Sequence, residues 1–312
     1  MAVWIFLAIV AQLLNAFVAL IDKYIVTSKN ALPQPFVYAF YTSVLSGASI
    51  LVFALSSVPV PLDGVAFPSF SNVQFPSLEV IAFCVLAAYT FFYAIVSMFT
   101  ALQKADASDV VPVIGAVSAI SSFVLGAIFL DSTLSPNFLI GVALLTVGTA
   151  LVSRFRFSWA VAFSSIHAGI FFGLHYVVLK GLFNMTSFDN GFFWSRVVFM
   201  AFAFSLLLVP SYMQKIVERT KETGKRAGAL ILANKVIAGF AGILILKATD
   251  LGDVSIVQAL GGVQYVFIFI ISVLLGPYGP QVCNDGKCTT RELIHKAIFI
   301  AIITLGFFVL FK

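Results

Sequence analysis

Charge is what this sequence has least of. Asp, Glu, Lys and Arg make up 10% of its 312 residues, against about 25% in an ordinary soluble domain, while 61% are hydrophobic. A soluble fold of this size must cover its surface with polar groups, and 18 basic and 13 acidic residues are too few for that. A soluble enzyme, a nucleic-acid-binding protein and a disordered chain are therefore excluded. Cysteine is scarce too. Cys84 lies inside an apolar run and reads as a small hydrophobe. Cys283 and Cys288 share one loop, and without a His or a second pair they make no zinc framework. A local disulfide and two free thiols both remain open, and the compartment decides between them. Also missing are a phosphate-cradling glycine loop, a Ser-His-Asp spelling and a metal-ligand cluster, so neither an enzyme nor a cofactor is expected. No apolar run shows the period-2 alternation of a membrane β-barrel.

What is abundant is apolar length. Mean hydropathy is +1.07. A helix needs roughly 20 apolar residues to cross the hydrocarbon. Ten spans can be read, at about 2–21, 34–56, 80–102, 110–130, 137–153, 157–179, 188–210, 227–246, 254–275 and 297–311. Seven of them contain no Asp, Glu, Lys, Arg or His. The first lacks a basic leader and a small-residue cleavage site, so it reads as a retained helix. Two connections are long. Residues 57–79 contain no Lys or Arg, and residues 211–226 hold Lys215, Arg219, Lys221, Lys225 and Arg226. The spelling Asn184-Met185-Thr186 is a glycosylation acceptor only in a secretory compartment.

The chain also repeats itself. Residues 101–115 align without a gap on residues 245–259, placing Asp106 and Asp109 on Asp250 and Asp253. Lys23-Tyr24-Ile25-Val26 resembles His175-Tyr176-Val177-Val178, and Leu144-Leu145-Thr146-Val147-Gly148 resembles Ile302-Ile303-Thr304-Leu305-Gly306. The chain thus divides near residue 153 into halves of five spans, 1–153 and 154–312. Because five is odd, the second half must enter the membrane from the opposite side. The expected fold is an all-α integral membrane protein of ten transmembrane helices in two inverted five-helix repeats, an arrangement typical of secondary transporters.

The residues around the first repeated turn carry a resemblance. Ala101-Leu102, Ala105, Ala107-Ser108 and Pro112 are followed by Phe123, Gly126, Phe129-Leu130, Leu134, Ile140-Gly141 and Gly148. Their order and spacing resemble the EamA-type branch of the drug/metabolite transporter superfamily, over nearly the whole chain. The family's Glu after the Phe-Leu exit is replaced here by Ser132, beside Asp131. The resemblance implies a central cavity between the halves that moves small metabolites, amino acids, drugs or nucleotide-linked sugars. The four-helix multidrug members carry an acid in their first helix, where this chain has Gln12 and Asn15 and no acid inside the span as read.

An ionisable residue inside the membrane is costly and is a functional candidate by default. Depth along the helices groups Arg196, His175 and Gln258 in one layer, and Lys235, His167 and Gln264 in another. Neither layer contains a carboxylate, and Asp22 and Lys23, at the end of the first span, read as an interfacial pair. Two cations facing one cavity would attract an anionic group. Alternatively Arg196 reaches one interface beside Trp194, and each His satisfies a neighbouring carbonyl. The first half contributes aromatic residues instead: Tyr38, Phe40 and Tyr41 in the second span, and Tyr89, Phe91, Phe92 and Tyr93 in the third. By the repeat, Phe91 corresponds to Lys235. The candidate substrate-binding residues are Arg196, Lys235, His175, Gln258, Gln264, Tyr38, Tyr41, Tyr89 and Asn15, with no metal ligand.

The expected function is a secondary transporter working by alternating access on a small metabolite that is anionic or amphipathic. The competing readings are an intramembrane enzyme using His167, His175 and Asp189, and a membrane scaffold that transports nothing. Expected partners are a small-molecule substrate and the lipid bilayer, with no nucleic acid, and the chain is compatible with a monomer in a plasma or inner membrane. Thirteen basic residues fall in or beside the loops after odd-numbered spans, against three on the other face. The positive-inside rule then places the odd loops in the cytoplasm and both termini outside, opposite to the usual drawing of ten-helix relatives.

Overall fold

The chain is an all-α, multi-pass membrane protein. The structure, a computed structural model, describes residues 3–28, 31–59, 65–105, 107–131, 139–144, 146–147, 158–275 and a few positions between 298 and 309. Among the described residues there is no strand, and seven helices are long and apolar enough to cross a membrane. The elements that position the cavity are α1 (Val3–Thr27), α2 (Pro35–Gly47, continued by a 3-10 turn, Ala48–Leu55), α3 (Leu78–Lys104) and α4 (Ala107–Phe129). They are followed by α5 (Trp159–Met185), α6 (Phe188–Ser205), α7 (Pro210–Glu222), α8 (Lys225–Leu251), α9 (Val254–Ala259) and α10 (Val263–Leu275). The expected spans at 137–153 and 297–311 lie largely outside the described residues, as do Cys283 and Cys288.

Local chemistry sets the helix ends. Ser77, Ser158 and Ser187 each cap a helix, their hydroxyls accepting backbone N–H bonds from Val80, Val161 and Asn190. Pro35 and Pro210 open α2 and α7, where the missing N–H has no partner to lose. The 211–226 segment, expected as a loop, is mostly the helix α7. It was hidden by its polarity, since only Ile216 of its side chains is buried. Large apolar side chains elsewhere are exposed on the outer faces of the spanning helices, among them Phe17, Ile120, Ile128, Phe163 and Phe240, as lipid contact requires.

Four packings fix the architecture. Helix α1 runs antiparallel to α8: the Trp4 ring lies where a side chain on Gly252 would be, and Asp22 meets Lys235 at the other end. Helix α3 runs antiparallel to α5, with Ser97 meeting His167 and Ala87 meeting His175. Helices α4 and α5 are parallel and close, because Gly169 and Gly173 let the Ile114 and Ser118 carbonyls approach within 3 Å of where a Cβ would sit. Helices α2 and α6 cross with Gly47 against Met200.

Two lysines close the ends of helices that do not carry them. Lys23 of α1 donates to the carbonyls of Leu102 (2.9 Å) and Ala105 (2.7 Å), the end of α3. Lys180 of α5 donates to the Asp250 carbonyl (2.6 Å), the end of α8. Each satisfies last-turn carbonyls where the helix dipole favours a cation. Ala105 and Gly252, which end these two helices, lie at opposite ends of α1, the first beside Lys23 and the second beside Trp4. The 25 residues of α1 put those ends about 36 Å apart.

The 65–77 segment is strapped to the start of α6. Asp189 Oδ2 accepts from the Ser69 N–H (3.2 Å) and the Asn72 amide (2.6 Å), and Asn190 Oδ1 accepts from the Gln74 N–H (3.0 Å). Trp194 Nε1 donates back to the Gln74 carbonyl (2.8 Å). Phe70 packs on Phe53 of the α2 continuation, ring centroids 4.8 Å apart.

Candidate functional site

A cavity of about 240 Å³ lies between α1, α2, α3, α4, α5, α6, α8, α9 and α10. Most of its wall is apolar, but three charged side chains line it: Asp22, Lys235 and Arg196. On the α8 wall, Gly239 and Gly242 face open space, since a Cβ built on either meets nothing within 4 Å. Phe91, Phe99, Phe172 and Phe192 line other parts of the wall.

Lys235 does not stand alone, contrary to the sequence reading. Its ammonium is 2.8 Å from Asp22 Oδ1, and both residues are buried. Asp22 Oδ1 also accepts from the Tyr38 hydroxyl and from Asn234 Nδ2 (2.7 Å). The ammonium lies 4.3 Å from the Tyr38 ring centroid and 5.2 Å from that of Phe99. Asp22 therefore lies inside a helix, buried against Lys235. Helix α1 continues to Thr27, and Ile25 and Val26 beyond the acid are fully buried. The apolar run stops at Ile21, which ended the span too early; the apolar pair Ile25-Val26 was the available signal.

Arg196 has a different environment. It is 5% exposed and does not snorkel beside Trp194, whose indole is bonded to the Gln74 carbonyl. Its Nη1 donates to Ser46 Oγ (2.9 Å) and its Nε lies 3.4 Å from Ser195 Oγ. The guanidinium carbon sits 4.3 Å from the Phe199 ring centroid and 5.2 Å from that of Phe192. Nη2 is buried and has no partner. Among the described residues no carboxylate forms an ion pair with it.

Of the expected site residues, Arg196, Lys235, His175, Gln258, Gln264 and Asn15 line the cavity. His175 Nδ1 pairs with the Ala87 carbonyl (3.0 Å), and its ring lies 5.8 Å from Phe199, beside Arg196. Gln258 accepts from Ser118 (3.1 Å), and Gln264 donates to the Asn15 carbonyl (3.1 Å). Tyr38, Tyr41 and Tyr89 do not line it. Tyr38 is fully buried behind the wall and holds Asp22. Tyr41 is bonded to Thr220 of α7 (2.5 Å), and Tyr89 is 42% exposed, its ring tilted against that of Tyr93. His167, expected beside Lys235, instead pairs with Ser97 and stacks on Phe171 away from the cavity. The cavity-lining Asp22, Thr42, Ser46 and Phe99 were not anticipated, nor was Asn234 behind the wall. Among the described residues no group of His, Cys, Asp and Glu could hold a metal ion.

No family model matches the chain, and no curated protein matches it in sequence. One solved crystal structure, described only as that of a protein, superposes with a TM-score of 0.65 at 16% identity. The match covers 99% of this chain and 95% of that one, so the two share a fold over their whole length.

Proposed function

We propose that this chain is a secondary transporter of a small metabolite, working by alternating access through the central cavity. The observation that carries the reading is Arg196. A buried guanidinium with an unpartnered Nη2, on a residue that lines a cavity between membrane-spanning helices, is expensive to keep unless a ligand uses it. The cavity is walled by helices from both ends of the chain, and its volume equals that of roughly eight waters, the size of a small metabolite.

The same reading extends to the architecture. We propose ten transmembrane helices in two inverted repeats, residues 1–153 and 154–312, related to the EamA-type drug/metabolite transporters, in a cell membrane. Three features support the inversion: Ala105 and Gly252, the ends of α3 and α8, at opposite ends of α1, Lys23 and Lys180 closing the third spanning helix of their own halves, and the matched pairings of α1 with α8 and α5 with α3. The enzyme reading has less support, because His167, His175 and Asp189 engage three separate partners.

The test is a ligand-stabilisation screen on purified protein, followed by uptake of each hit into proteoliposomes. The expected outcome is a small anionic hit with saturable uptake. Stabilisation by no metabolite, together with no uptake, would leave the scaffold reading. Orientation is tested separately. A single cysteine introduced at Lys221, in a background without Cys84, Cys283 and Cys288, is expected to resist a membrane-impermeant thiol reagent in intact cells. Ready labelling there would place α7 outside and reverse the orientation drawn from charge.

A further inference from the structure

The charges facing the cavity do not weigh equally, and their balance names a substrate class. Lys235 is neutralised inside the wall by Asp22 at 2.8 Å, with Tyr38 and Asn234 completing the shell around Asp22 Oδ1. That leaves Arg196 as the cation without a carboxylate among the described residues, its Nη2 unpartnered at 5% exposure. His175 directs Nδ1 to the Ala87 carbonyl. We propose that the cavity selects small organic monoanions, specifically carboxylates with a flat apolar body, and that Asp22 is the residue that excludes dianions. The proposal rests on the transport reading of the same cavity and deepens it.

Each part of such a ligand has a counterpart. The carboxylate meets Arg196, which keeps two hydrogens on Nη2 and one on Nη1 after the bond to Ser46. The apolar body meets a mostly apolar wall containing Phe91, Phe172 and Phe192. The side-chain-free strip of Gly239 and Gly242 supplies the room. A second negative charge has no free cation to meet, because Asp22 already holds Lys235. A dianion would have to displace Asp22 Oδ1 from the ammonium of a lysine that is 6% exposed, with two aromatic rings beside it. Desolvating the extra charge without a partner is unfavourable.

Three ligands built on one benzene ring separate the possibilities: benzoate, a monoanion; phthalate, a dianion; and benzamide, which is neutral. Binding is measured on the purified full chain by thermal stabilisation and calorimetry. Benzoate should bind the natural protein, and phthalate and benzamide at least tenfold more weakly. Arg196→Gln should weaken benzoate by roughly ten- to a hundredfold, the range for one charged hydrogen bond. Asp22→Asn frees Lys235 and should bring phthalate to parity with benzoate or beyond it. If that variant does not fold, Asp22→Asn combined with Lys235→Met removes both charges of the pair and should keep the preference for benzoate. The idea is overturned by equal binding of phthalate and benzoate to the natural protein, by an Arg196→Gln variant that binds benzoate normally, or by no binding of benzoate at all. Benzoate that binds but is never moved into proteoliposomes would overturn the transport reading and leave this one standing. Uptake of a neutral or dianionic metabolite independent of Arg196 would do the reverse.

Discussion

Two buried cations sit in one cavity, and they are held in opposite ways. Lys235 has a full set of protein partners: a carboxylate, whose other donors come from α2 and α8, and two aromatic faces. Arg196 has serine hydroxyls and ring faces but no counter-charge among the described residues, and one of its nitrogens bonds to nothing. The first arrangement joins α1 to α8 and contributes to the fold. The second is left partly unsatisfied by the protein. Burial alone would have put the two in the same class; the partners separate them.

The largest effect should come from breaking the paired cation. Asp22→Ala or Lys235→Ala alone strands a buried charge and should cost about 3–5 kcal/mol of stability, read as a lower unfolding midpoint in detergent. Replacing both, as Asp22→Asn with Lys235→Met, should recover most of that loss. Equal losses in the single and double variants would mean that the pair is not what the residues contribute. Arg196→Met should behave differently, losing about 1.5–3 kcal/mol of ligand binding while the unfolding midpoint holds. A fall in stability matching that of Lys235→Ala would erase the distinction between the two cations.

A smaller effect on stability, with a large one on uptake, is expected at the glycines. Gly239→Leu extends into open cavity and should abolish uptake with less than about 1 kcal/mol of destabilisation. Gly173→Ala, whose new Cβ would lie 2.6 Å from that of Ser121, should cost about 1–3 kcal/mol by overpacking. The smallest effect belongs to Tyr41→Phe, which removes one exposed hydrogen bond to Thr220 and touches no cavity wall. A change of about 0.5 kcal/mol and unaltered binding would confirm that this tyrosine lies outside the site.

The spanning helices were legible because lipid imposes a long, uninterrupted apolar run, and Pro, Gly and Ser mark its ends. Arg196, His175 and Lys235 were legible because polar groups stand out against that run. Asp22 was not. At the edge of an apolar stretch an acid reads as interfacial, and the partner that brings it inside is 213 residues away. The tyrosines failed for the opposite reason. Tyr38, Tyr41 and Tyr89 share a residue type but sit in three surroundings: behind the wall, under α7 and on the outer surface. Helix α7 was missed because a short, polar amphipathic helix carries no long apolar signal.

The strap between residues 69–74 and the start of α6 has a mechanical consequence. Four hydrogen bonds and the Phe53–Phe70 contact bind the connection after α2 to Asp189, Asn190 and Trp194. A motion that carried the 69–74 connection away from α6 would break all four hydrogen bonds, at about 0.5–1.5 kcal/mol for each. At that end of the protein the connection and the start of α6 therefore move as one piece. A rocking motion would find its freedom in the short joints after α3 and α8, where the next helix, α4 or α9, begins within three residues.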